Sequence, residues 1–188
     1  MKNFFLLKLL LAFFVVLFFV SCEDQKPGNT TDDSNRFEGN HGQSGVLDDV
    51  SKPNILQIAI GSKDHTTLVA GVQAAELENI LVNPGPLTVF APTNTGFEKL
   101  PEGTLDELLK PENKNKLAKI ITSHAAPGTF DIPLLKDGTT IYMATGQYID
   151  VEVKDGETYV NGSKILATVD ASNGVVHIVD DVFLYAAE

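Results

Sequence analysis

Apolar and polar residues change regime several times along the chain. Lys2 opens a short basic start, Lys8 interrupts the first apolar residues, and Leu9 to Val20 is an unbroken apolar run of twelve. That is the length of a signal-peptide core and short of the roughly 20 residues a spanning helix needs. Ser21 and Cys22 follow, and Glu23-Asp24-Gln25-Lys26-Pro27 turns abruptly polar. From there to Gly45 the only large apolar residue is Phe37, among Pro27-Gly28, Asp32-Asp33-Ser34-Asn35 and Gly39-Asn40-His41-Gly42. Such a stretch buries too little surface to offset its chain entropy, so residues 22–45 are expected to be a polar tether. As a flexible coil it would span roughly 25 Å.

Residues 46–187 carry the pattern of one domain. Leu68, Val72 and Ala75, then Leu77, Ile80 and Leu81, recur at helical spacing and predict a helix that Asn83-Pro84-Gly85-Pro86 stops. Leu87-Thr88-Val89-Phe90-Ala91 reads as a short strand ending at Pro92. Thr95-x-x-Glu98 and Thr104-x-x-Glu107 have the form of capping boxes. Leu117, Ile120, Ile121 and His124 form the stripe of a further helix, closed by Pro127-Gly128. The period then changes. Ile149, Val151 and Val153 alternate with Asp150, Glu152 and Lys154, as in a half-buried strand. Asp155-Gly156, Asn161-Gly162 and Asn173-Gly174 are turn signals, and Val175 to Leu184 reads as one strand buried on both faces. Helices first and an antiparallel sheet later define an α+β fold class.

Charge and composition narrow the function. With 14 Lys and Arg against 25 Asp and Glu, the net charge is −11. This opposes nucleic-acid binding, which needs a cationic surface. One cysteine permits no internal disulfide and no Cys/His zinc cluster. A nucleophile needs a base and an orienter, yet no Gly-x-Ser-x-Gly or Ser-x-x-Lys occurs. Ser123 and His124 are chain neighbours, a poor geometry for a catalytic pair. No enzyme activity, metal or cofactor is expected. Asp170 and Asp180-Asp181 lack the spacing of a calcium loop. His41 and His65 lie in polar surroundings and are assigned no task.

Ser21-Cys22 after the apolar run resembles a bacterial lipoprotein signal, although Phe19 stands where leucine is usual. The resemblance implies removal of residues 1–21 and acylation of Cys22, with an ordinary secretory peptide as the alternative. It places the protein in the bacterial cell envelope, lipid-anchored at the outer membrane or cell surface. Cleavage there would remove two lysines and no acid, leaving a still more acidic body that only the lipid could hold at an anionic membrane.

Thr88-Val89-Phe90-Ala91-Pro92-Thr93-Asn94-Thr95-Gly96-Phe97 is similar to the first signature of fasciclin-type adhesion domains. Ala171 through Leu184, with Asn173-Gly174-Val175-Val176-His177-Ile178-Val179-Asp180 at its centre, resembles the second. Ser123-His124 stands where the family has a tyrosine–histidine pair, and Tyr185 where a proline usually follows. The resemblance implies a wedge-shaped β-sandwich of about seven strands with helices packed against it, mostly from the first half. It also implies adhesion, through a protein or polysaccharide ligand. Asn94, Ser123 and His124 are the candidate partner-binding residues, although His124, on the apolar stripe that ends a helix, reads first as a core histidine. Thr88, Phe90, Pro92, Phe97, Asn173, Gly174, His177 and Asp180 are expected to serve the structure, His177 as a core histidine. A carrier of a small apolar ligand and a passive surface lipoprotein are the alternative readings.

Overall fold

A computed structural model of the chain describes residues 52–184. The signal segment, Cys22, the tether and the domain's outermost residues lie outside these described residues.

Helical elements come first. Asn54 caps α1 (Ile55–Ile60) in a reciprocal box: its Oδ1 accepts from Gln57 N–H, and Gln57 Oε1 accepts from Asn54 N–H. A single 3-10 turn at Lys63–His65 leads into α2 (Thr66–Ala74), followed by α3 (Glu78–Val82). The continuous helix expected here is therefore broken. Glu76 adopts φ 56°, and Leu77 N–H donates to the Val72 carbonyl, closing a Schellman-type end. Strand β1 (Leu87–Pro92) follows, then α4 (Asn94–Glu98), α5 (Thr104–Leu108) and α6 (Lys114–Thr122). Neither expected threonine box forms. Thr93 caps α4 by accepting from Gly96 N–H, and α5 starts from Gly103 at φ 80° without a side-chain cap.

The remaining strands are β2 (Ala125–Pro127), β3 (Thr140–Tyr142), β4 (Tyr148–Lys154), β5 (Glu157–Val160), β6 (Ser163–Ala171) and β7 (Gly174–Val179). They form one seven-stranded sheet in the order β2-β1-β7-β6-β5-β4-β3. Asp155-Gly156 and Asn161-Gly162 take positive φ at both positions, as type I′ hairpin turns require. The sheet is not wholly antiparallel: β1 and β7 run parallel, Phe90 beside His177. β7 also stops at Val179, short of the expected strand, because the chain turns out of the sheet at Asp180. The two ends of the sheet approach each other, and Ala144 N–H donates to the Ala125 carbonyl. The seven strands thus curl into a nearly closed, sandwich-like sheet.

That curl separates two main apolar clusters. Phe90, Ile141, Met143, Ile149, Val151, Val160, Val179 and Phe183 pack inside the curved sheet. Ile55, Leu56, Leu68, Val72, Leu81, Val89, Ala91 and Val176 pack between the sheet and α1–α3. Val89 and Phe90 fall in different clusters, so β1 is buried on both faces.

Candidate functional site

The first signature block is committed to the frame. Thr88 is fully buried; its Oγ1 donates to the Gly128 carbonyl at 2.8 Å and accepts from Phe130 N–H at 2.9 Å. Phe90 N–H donates to the His124 carbonyl at 2.8 Å, and its ring stacks on His177 with centroids 5.4 Å apart. Pro92 ends β1, and Phe97 packs against the helical cluster. Asn94, a candidate for partner binding, is turned to a local task. Its Oδ1 accepts from Thr67 N–H and Thr66 Oγ1–H, and its Nδ2 donates to the Lys63 carbonyl. It therefore ties the first turn of α2 to the 3-10 turn.

The second block acts likewise. Asn173 Oδ1 accepts from Ile55 N–H at 3.0 Å, and Nδ2 donates to the carbonyls of Leu81 at 2.8 Å and Asn83 at 3.2 Å. One amide thus joins the β6–β7 turn to α1 and to the end of α3. Gly174 has φ 153°, and a Cβ there would lie 1.8 Å from the Leu87 carbonyl oxygen, so only glycine fits. His177 is fully buried. Its Nε2–H donates to the Phe130 carbonyl at 2.7 Å, since a carbonyl can only accept, leaving Nδ1 to accept from Thr168 Oγ1 at 2.9 Å. Burial pushes its pKa below the usual histidine value, against the pull of the Phe130 carbonyl and the Asp131 charge. Asp180 Oδ1 accepts from Lys164 N–H, and its carbonyl takes Lys99 Nζ. Lys99 also lies 3.8 Å from the Asp180 carboxylate and 3.7 Å from that of Asp181.

The Ser123-His124 pair is interior. Ser123 is fully buried and donates Oγ–H to the Ile120 carbonyl at 2.6 Å. His124 donates Nδ1–H to the same carbonyl at 2.8 Å and accepts at Nε2 from Phe183 N–H at 2.8 Å. Its ring stacks on Phe183, 4.5 Å between centroids and 8° from parallel. Burial pushes its pKa down to about 4, opposed by the Ile120 carbonyl. Of the three candidate partner-binding residues, Asn94 is half-buried and Ser123 and His124 are buried. The helix end places Ser123 and His124 in the core, and the polar atoms of all three bond within the domain.

His65, assigned no task from its polar neighbours, is also buried. Its Nδ1 sits 2.7 Å from Ser62 Oγ, while Nε2 closes no well-formed hydrogen bond. Burial lowers its pKa, with Asp64 and the Ala91 carbonyl acting in the opposite direction. No periodicity signals this burial, because Ser62, Lys63 and Asp64 precede it and two threonines follow.

Among the described residues, no group of three or more His, Cys, Asp or Glu is arranged to hold a metal ion. Among the described residues, two apolar voids beneath α2 measure about 30 and 20 Å³. Ligand pockets are typically about 300–1,000 Å³, so neither void accommodates a lipid. A larger concavity, about 700 Å³, is an open groove at the β6–β7 turn. Lys52, Pro86, Asp131, Asp170 and Ser172 stand along it, with the framework pair Asn173-Gly174.

These features define an α+β domain with a curled seven-stranded sheet, whose signature side chains hold helices, strands and the carboxyl-terminal segment together. The fasciclin-domain profile matches residues 63–185, and the chain belongs to that family. It is 46% identical over 135 residues to protein sll1483 of Synechocystis, across 71% of this chain and 74% of that protein. It is 33% identical over 107 residues to the cell surface glycolipoprotein MPB83 of Mycobacterium bovis, across 57% of this chain and 47% of that one. The fold matches a FAS1 domain pair from the insect cell adhesion molecule fasciclin I, with a TM-score of 0.64 and 16% identity. That match covers 71% of this chain and 51% of the solved one, so the chain spans about half the length of that domain pair.

Proposed function

We propose that this protein is a lipid-anchored binding module of the bacterial cell envelope, held through acylated Cys22 and engaging a protein or polysaccharide outside the membrane. The observation that carries the binding role is the inward commitment of the signature side chains. They build a rigid support and leave recognition to the surface around it. Membership of a family of adhesion-type domains supports the same reading. The anchor rests on the apolar run ending at Ser21-Cys22, and the similarity to a cell surface glycolipoprotein supports an envelope location.

The test is made with bacterial cells expressing the full chain, settled on surfaces coated with matrix proteins or envelope polysaccharides. Cells carrying the native chain are expected to adhere and to retain the protein in the detergent-soluble membrane fraction. Cys22→Ala is expected to release it to the soluble fraction and abolish adherence. Membrane retention of the variant would defeat the anchor, and indifference of adherence to the protein would defeat the binding role.

A further inference from the structure

On the outer face of the β3–β4 hairpin, Tyr142 and Tyr148 stand directly opposite each other in register. Their ring centroids are 5.1 Å apart at 56°. They are 49% and 67% exposed, whereas Ile141 and Ile149, on the inner face of the same strands, are 0% and 1% exposed. Inner-face packing therefore accounts for the hairpin's burial, and two large aromatic surfaces are left in solvent.

The acids on this face separate one cluster from another. Glu152 lies opposite Tyr159, and Lys154 lies opposite Glu157. Lys154 Nζ sits 5.8 Å from the Tyr159 ring centroid and pairs with Glu152. This is a complete assembly of cation, aromatic ring and carboxylate. Glu157 is taken by Lys164. Asp150 lies between Glu152 and Tyr148 in the alternation of β4 and faces out with them. It has no ion pair or side-chain hydrogen bond among the described residues. Tyr142, Tyr148 and Asp150 thus repeat the aromatic and anionic parts of the neighbouring cluster without its cation.

We infer that the outer face of the β3–β4 hairpin, through Tyr142, Tyr148 and Asp150, docks an Arg- or Lys-bearing segment of a partner protein. The docked cation would lie against the tyrosine rings with Asp150 as counter-charge, the arrangement Lys154 already makes on Tyr159 and Glu152. Arginine suits the place best, because its planar guanidinium stacks on a ring while donating to a carboxylate. The chain's net charge of −11 steers such a segment inward and repels acidic competitors. This inference rests on the binding role proposed above and specifies its surface and partner chemistry.

The test measures binding of a fluorescent nona-arginine peptide and of a neutral N-acetylglucosamine hexasaccharide to the full chain in detergent micelles at physiological salt. Asp150→Asn and the pair Tyr142→Thr/Tyr148→Thr are compared with the native chain and with Glu112→Gln, an exposed acid on the helical side. Threonine keeps strand propensity, and an unchanged melting curve confirms that each variant is folded. Peptide binding is expected to weaken about tenfold in Asp150→Asn and in the tyrosine pair, and less than twofold in Glu112→Gln. Equal losses in all three variants, or none, would overturn the face assignment while leaving the binding role standing. Binding of the hexasaccharide, lost with the tyrosines and indifferent to Asp150, would replace the cationic partner with a glycan. Binding of neither probe would overturn the inference, and the adherence test above would then decide the broader role separately.

Discussion

His124 Nε2 accepts the Phe183 N–H at 2.8 Å while its ring lies parallel to the Phe183 ring, 4.5 Å away. The contact fixes the segment after β7 against the end of α6, and it requires a neutral imidazole, because a protonated Nε2 has no lone pair to offer. The folded pKa is about 4 against an ordinary value of 6.5. Above pH 6.5 both folded and unfolded states are neutral and the group adds no pH dependence. As pH falls from 6.5 through 4, the unfolded state takes the proton first, and stability is lost by about 3 kcal/mol. His65 and His177 are shifted in the same direction, so their contributions carry the same sign. NMR titration is expected to show His124 neutral at pH 5.5. Denaturation curves at pH 7 and 4.5 are expected to converge partly in His124→Gln, which cannot protonate there.

His177→Ala removes the donor to the Phe130 carbonyl, the acceptor for Thr168 and the ring stacked on Phe90. An unpaired buried carbonyl and a cavity together are expected to cost about 2–4 kcal/mol, read as a lowered denaturation midpoint.

Gly174 and Gly96 are both crowded, to different degrees. A Cβ at Gly174 would sit 1.8 Å from the Leu87 carbonyl oxygen, inside the β1–β7 pair. Gly174→Ala is expected to give little soluble folded protein. A Cβ at Gly96 would meet the Asp180 carbonyl oxygen at 3.0 Å, where the chain has left β7 and a shift of a few tenths of an ångström relieves the contact. Gly96→Ala is expected to fold and to change stability by no more than about 1 kcal/mol, since alanine's helix preference offsets the crowding. Thermal melting of the two variants side by side checks the contrast.

Asn94→Ala removes the acceptor that holds Thr67 N–H at the start of α2 and the donor to the Lys63 carbonyl. Loss of a cap of this kind is expected to cost about 1–2 kcal/mol. Binding to any ligand found for the full chain is expected to stay within twofold at temperatures where the variant is folded. A large loss of binding with an unchanged melting curve would make Asn94 a contact residue.

Local chemistry was legible in the sequence where a residue type answers directly to a backbone need. Asp155-Gly156 and Asn161-Gly162 tolerate positive φ, so both hairpins were readable. The break between α2 and α3 was not, because Glu76 rather than glycine or asparagine occupies the left-handed position. Thr95 and Thr104 matched a capping pattern, but each already lies within the first turn of its helix, with Thr93 and Gly103 at the caps. β2 and β3, three residues each, are too short to show alternation. The parallel pairing of β1 with β7 joins segments far apart in the chain, which no local pattern encodes. The same limit governed the candidate site. A histidine ending an apolar stripe reads as interior, whereas the two backbone groups that claim its nitrogens become visible only in three dimensions.

The most direct test of the account is equilibrium binding of the full native chain, in detergent micelles at physiological salt, to immobilised matrix proteins and envelope polysaccharides. Saturable binding to at least one of them is expected, retained in Asn94→Ala below its melting temperature. Absence of saturable binding to any, by a chain whose melting curve shows it folded, would contradict it.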